Sequence, residues 1–173
     1  MSSSPETPDF DSVFKANARY IWRSLRYLGV READLEDVCQ EVFVTAFRKL
    51  PSFEGRSSVR TWLYGICLRV ASDFRRRAHV VRERPYAEPF AESPTLGSEP
   101  QGNLEARHLL TSLLSQLDDD KREVLVLYEV EGFTMKEVAE ILGCPQQTAY
   151  SRLYAAREKL LTLAQERGSK AAP

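Results

Sequence analysis

The chain has 173 residues, 43% of them apolar, with a formal net charge of −1, three cysteines and two histidines. That length holds one medium domain or two small ones, and the apolar fraction is enough for real cores. No run approaches the ~20 apolar residues of a membrane span, and the start MSSSPETPDFDS lacks the basic flank and apolar block of a secretion signal. Cys39, Cys67 and Cys144 form no Cys-x-x-Cys pair, and His79 and His108 add no metal-ligand spacing. Reduced thiols are expected, with no disulfide framework, metal or cofactor.

Residues 1–8 read as a disordered start, and Asp9 can cap a helix running to about Leu28. Phe10, Val13, Phe14, Ala18, Ile21, Leu25 and Leu28 recur on one face of it, and Gly29 stops it. A second helix is expected from about Glu32 to Leu50, with Leu35, Val38, Val42, Phe43, Ala46 and Phe47 apolar. Asp34, Asp37, Gln40 and Glu41 fall largely off that face, and Pro51 ends it. After the short loop PSFEGRSS, a third helix runs from Val59 to about Ala78 on a core face of Trp62, Leu63, Ile66, Val70 and Phe74. Residues 9–78 make the first domain.

Residues 79–103 change character. Pro85, Pro89, Pro94 and Pro100 lie among glutamates, serines and glycine, a composition that cannot hold a helix and reads as a flexible linker.

The second domain, residues 104–167, opens with a helix from Leu104 to Leu117, the acidic turn Asp118 to Asp120, and a helix from Lys121 to Glu131. Thr134 followed by Glu137 is a capping box that starts another helix. Gly143 ends it by supplying a positive φ, and Pro145 suits the first turn of the last helix. There Ala149, Leu153, Ala156, Leu160 and Leu163 make a buried stripe, while Gln146, Gln147, Tyr150, Ser151, Arg152 and Arg157 lie off it. Amides, hydroxyls and arginines on the early turns suit a DNA major groove. The same helix pair also occurs as plain packing, and the pattern alone leaves both readings open. Residues 168–173 read as a frayed tail.

The near-zero net charge hides an uneven distribution. Five acids and one arginine fall between Arg31 and Glu41, whereas eight arginines and two acids fall between Arg56 and Arg84. Two patches of opposite sign point to two partners. A basic helix with aromatic neighbours suits single-stranded DNA, though Trp62 and Phe74 at helical spacing also suit a core. No phosphate-cradling glycine loop and no nucleophile, base and orienter set is present, so an enzyme is not expected.

Taken together, the all-α chain of two small helical domains resembles an extracytoplasmic-function (ECF) sigma factor of bacterial RNA polymerase. The resemblance rests on Asp34-Leu35-Glu36-Asp37-Val38-Cys39-Gln40-Glu41-Val42-Phe43, then Phe53-Glu54-Gly55-Arg56-Ser57-Ser58-Val59-Arg60-Thr61-Trp62-Leu63-Tyr64. In the second domain it rests on Glu123-Val124-Leu125, Glu137 through Gly143 and Thr148 through Arg152. It implies that Asp34, Asp37, Gln40 and Glu41 bind the clamp helices of the polymerase β′ subunit, with the β flap as a further contact. It implies that the −10 element is opened and read by Glu54, Arg56, Ser57, Ser58, Arg60, Thr61, Trp62 and Tyr64, with Arg69, Arg75 and Arg76 on the single strand's phosphates. The −35 duplex would meet Gln146, Gln147, Tyr150 and Ser151 at base edges and Arg152 and Arg157 at the backbone.

The family also implies an anti-sigma partner and a cytoplasmic location. Leu68-Arg69 stands where many relatives have Arg-Asn, and Tyr150 where a phosphate-binding lysine is common, so promoter preference is not transferable. Two other functions remain open: a helix-turn-helix regulator that does not bind polymerase, and a protein-only interaction module on the same fold.

Overall fold

The computed structural model describes residues 9–81 and 104–170, and the regular elements among them are all helical. The described chain forms two compact units, one built on α1 (Phe10–Tyr27), α2 (Leu35–Lys49) and α3 (Val59–Val81). The other holds α4 (Leu104–Leu114), α5 (Asp119–Leu125), α6 (Met135–Leu142) and α7 (Gln146–Lys170). The expected start at residues 1–8 and most of the expected linker lie outside the described residues. Residues 79–81, expected to begin that linker, instead continue α3. Residues 168–170, expected as tail, continue α7.

In the first unit Asp9 caps α1, its carboxylate accepting from the Ser12 N–H and hydroxyl at 3.0 Å each. Ile21 and Leu25 of α1, Leu35, Val38, Val42 and Ala46 of α2, and Leu63, Ile66 and Val70 of α3 are buried. Their 3.6-residue spacing delivers each helix's stripe to one core. The second helix starts later than expected. Glu32–Asp34 is a 3₁₀ turn, tightened by the Asp34 N–H on the Arg31 carbonyl at 3.0 Å. Two expected core rings are not buried: Phe14 is 44% and Phe47 61% exposed. They rim the core edge-on, Phe14 against Phe43 at 4.7 Å and Phe47 against Phe10 at 5.1 Å between centroids.

The second unit departs from simple helices at two points. Leu114, not Leu117, ends α4, and the buried Arg122 guanidinium bonds carbonyls of the turn that follows. Nε donates to Leu114 O at 2.9 Å and Nη2 to Leu117 O at 2.6 Å. Asp118 caps α5 by accepting from the Lys121 N–H at 3.0 Å, so that helix begins two residues before the expected Lys121. It then widens into a π-helical turn, Val126–Val130, closed by the Glu131 N–H on Val126 O at 2.9 Å.

The following pair forms as expected. Thr134 and Glu137 make a reciprocal capping box, and Gly143 sits at φ 62°. The Cys144 N–H reaches Ala139 O at 3.0 Å, which satisfies the carbonyls α6 leaves open. Ala149, Leu153, Ala156 and Leu163 of α7 are buried, and Leu160 is half-buried.

Candidate functional site

Three faces carry the candidate residues. On α2, Asp37, Gln40 and Glu41 are exposed at spacings of three and four, which sets them in one stripe. Asp34 stands apart from it, half-buried in the 3₁₀ turn and ion-paired with Arg31. The stripe continues into Val44 and Phe47, 47% and 61% exposed. Sequence periodicity assigned Phe47 to the core and did not single out Val44. An acidic and amide head running into an apolar foot fits a protein partner with basic and apolar groups in the same order.

The loop before α3 is held by its own contacts. Gly55 takes φ 69°, and Arg56 pairs with Glu54 at 2.5 Å. Ser58 caps α3, its hydroxyl accepting from the Thr61 N–H at 3.0 Å and lying 2.8 Å from the Thr61 hydroxyl. Thr61 is buried, and its hydroxyl lies against the Ser58 cap. Tyr64 is fully buried, its ring 5.8 Å from Tyr20. Both residues were expected at DNA; the structure places both side chains in the interior beneath the loop. Trp62 is half-buried, its ring 5.2 Å from Phe53. Arg60 lies over the Tyr20 ring at 4.7 Å, a cation–π contact that fixes its direction.

Further along α3, Arg69, Arg76 and Arg77 are exposed and Arg75 is half-buried. Arg76 pairs with Asp73, and Arg77 with Glu41. Cys39 of α2 is a buried thiol that desolvation pushes up to about 11, so it stays protonated and inert. Among the described residues no group of three His, Cys, Asp or Glu could hold a metal ion. No described helix is long and apolar enough to cross a membrane.

The third face is the outer side of α7. Gln146, Gln147, Tyr150 and Ser151 are exposed on its first turns, and Ser151 donates back to Gln147 O at 2.9 Å. Arg152 pairs with Asp120 at 2.8 Å. Arg157 donates Nε and Nη2 to one oxygen of Glu129 at 2.8 and 2.5 Å, and this hydrogen bond raises its pKa. The rings of Tyr150 and Tyr154 stack at 6.4 Å and 23° between planes. Tyr154 and Glu129 were not singled out from sequence, and Asp120 was read only as part of an acidic turn. The two acids lie 32 and 28 residues from the arginines they meet, and only a folded chain brings them together.

Family models match both units: one described as Sigma-70 region 2 over residues 13–80 and one described as Sigma-70, region 4 over residues 107–160. The ECF RNA polymerase sigma factor SigC of Mycobacterium tuberculosis is 35% identical over 161 residues, covering 87% of this chain and 80% of that one. The ECF RNA polymerase sigma-E factor of Escherichia coli K12 is 33% identical over 141 residues, covering 76% and 74%. Among solved structures, the sigma factor RpoE in complex with the anti-sigma factor NepR, from Bartonella quintana, aligns with a TM-score of 0.70 at 27% identity. That alignment covers 91% of this chain and 97% of that one. CnrH in complex with the cytosolic domain of CnrY aligns at 0.67 and 27%, covering 91% and 88%.

Proposed function

The chain belongs to the ECF sigma factors, alternative sigma subunits for transcription initiation, and on that premise we propose which of its residues do the work. The observation that carries the assignment is the α2 stripe. Asp37, Gln40 and Glu41 face solvent together, with Val44 and Phe47 beyond them. This face docks on the β′ clamp helices of core polymerase, its carboxylates meeting basic groups and its apolar foot excluding water. Asp34, tied to Arg31, orients the start of the helix and contributes less directly.

Downstream of that contact, the Glu54 to Ser58 loop and Trp62 form the edge at which a −10 base leaves the stack. Arg60, Arg69, Arg75 and Arg76 hold the phosphates of the opened strand. In the second unit α7 enters the −35 major groove. Gln146, Gln147, Tyr150 and Ser151 meet base edges, while Arg152 and Arg157 meet the backbone. The chain breaks no bond itself, and strand opening draws on binding energy. It acts in the cytoplasm with the polymerase. An anti-sigma protein restrains it, a reading supported by the RpoE–NepR complex, and the surfaces it would cover are the α2 stripe and the outer face of α7.

The test is co-elution of the purified full chain with bacterial core RNA polymerase, wild type beside Asp37→Arg. Wild-type binding that the variant loses supports the α2 assignment. No binding by the folded wild type, or equal binding by the variant, overturns it. The first of those two outcomes would favour a helix-turn-helix regulator that works without polymerase.

A further inference from the structure

We infer that Glu129 is a positioning residue for promoter binding: it holds the Arg157 guanidinium in the orientation that meets a −35 phosphate. The inference rests on the reading of α7 as the −35 helix. Arg157 uses one edge, Nε and Nη2, on Glu129 Oε1 at 2.8 and 2.5 Å. The same guanidinium lies 5.9 Å from the Tyr128 ring and 6.0 Å from the Tyr154 ring. One carboxylate and two rings therefore define its direction. Its remaining N–H groups, on Nη1 and the far side of Nη2, are available to a planar or tetrahedral oxyanion.

The placement of Glu129 depends on the π-helical turn. Tyr128 and Glu129 both fall in Val126–Val130, where each residue advances around the axis by less than in an α-helix. That altered step brings an acid and a ring of one element to the same side chain of α7. Arg157 lies ten residues past Gln147 and seven past Tyr150, on the side of α7 that carries both. Tyr154, which it contacts, stacks on Tyr150. The chain of contacts thus runs from the turn before α6 to the base-reading side chains.

A surface carboxylate beside a phosphate-binding arginine could instead compete with DNA. Geometry favours positioning. The carboxylate occupies one edge of the fork only, and the flanking rings would keep the guanidinium in place while a phosphate approaches the other. Holding a flexible side chain in its bound orientation lowers the ordering cost of binding.

The test uses the full chain assembled with core polymerase and a duplex DNA pool randomised over the −35 positions. Wild type should select a −35 motif, and affinity for the selected duplex is then measured against salt. Glu129→Gln should bind the same motif about threefold more weakly, the scale of one exposed ion pair, with the salt slope reduced by up to about one. Arg157→Ala should do the same, and the double variant should be no weaker than Arg157→Ala alone. Glu129→Asp should recover part of the loss. Tighter binding with a steeper slope in Glu129→Gln would make Glu129 a competitor and overturn the inference, as would unchanged binding or additive losses. Absence of any −35 selection by wild type would overturn the reading of α7 and this inference with it.

Discussion

Arg77 of α3 reaches across to α2 and donates through Nη2 to both carboxylate oxygens of Glu41, each at 3.3 Å. The side chains are 62% and 47% exposed, so the pair contributes only a few tenths of a kcal/mol to stability. Glu41→Gln should therefore unfold within about 1 kcal/mol of wild type while binding core polymerase more weakly. Denaturant unfolding beside polymerase co-elution checks this. A large stability loss would assign Glu41 to the fold and not to the clamp contact.

Tyr64 and Trp62 lie two residues apart on the first turns of α3, proposed above to border the −10 element, and should fail differently. Tyr64 is fully buried, so Tyr64→Ala should cost about 3–5 kcal/mol through the cavity it leaves. Trp62 is half-buried beside the loop ring of Phe53. Trp62→Ala should cost less stability and lose promoter opening, read by permanganate reactivity of unpaired thymines. Equal stability losses in the two variants would remove Trp62 from the strand-opening face.

Arg122 closes the C-terminal end of α4 and pairs with Asp119 at 3.0 Å. Arg122→Ala leaves the Leu117 carbonyl without its guanidinium donor and Leu114 O with the Leu117 N–H alone, and it removes a buried side chain. The expected loss is about 2–4 kcal/mol in the unfolding of the second unit. Arg122→Lys should recover little, since an ammonium cannot reproduce the fork that spans two carbonyls. Urea unfolding of the three proteins tests this.

The Asp118 carboxyl lies below its ordinary value of 3.8, chiefly through the hydrogen bond from the Lys121 side chain and then the Lys121 backbone N–H. Folding thus favours the ionised form. That contribution is complete above the ordinary carboxylate value and disappears as pH falls through the lowered one. Asp118→Ala should lose about 1 kcal/mol at neutral pH, the usual worth of a helix N-cap. Its deficit against wild type should shrink as the solution is acidified, and a deficit independent of pH would contradict the assignment.

Gly143 adopts φ 62°, and a Cβ added there would meet no atom within 4 Å. The cost of Gly143→Ala is therefore conformational, about 1–2 kcal/mol. The variant should retain its helix content and unfold earlier, as followed by circular dichroism.

The boundaries carried by local chemistry were legible in the sequence: Asp9, Thr134 with Glu137, and Gly143 act within a few residues of themselves. The acidic α2 stripe was legible for the same reason, since helical spacing alone puts Asp37, Gln40 and Glu41 together. Distant pairings were not. Nothing near Arg157 points to Glu129, and Arg122 resembles any surface arginine until the end of α4 meets it. Periodicity also misplaced residues where burial is not one-sided. Helix α3 buries Leu63, Tyr64, Ile66, Cys67, Leu68, Val70 and Ala71, so Tyr64 could not be read as exterior from its spacing. Phe14 and Phe47 erred the other way, because an aromatic at the rim can pack one ring edge and leave its face to solvent. The π-helical turn was hidden, since Val124, Leu125, Leu127 and Tyr128 suit an α-helix equally well.

That wide turn has a mechanical consequence. It holds one residue more than the surrounding hydrogen-bond ladder requires, and in an α-helix one residue corresponds to about 100° of rotation. Deleting a residue within Val126–Val130 would let the segment relax into α geometry without opening the core beneath it. Because the wide turn spends its extra residue on a smaller step per residue, everything after it would leave α5 at nearly the same azimuth as before. The turn works as a slack link: it takes up an extra residue locally and leaves the rotational register between α5 and the α6–α7 pair nearly unchanged, so a one-residue length change is absorbed here without re-aiming α7.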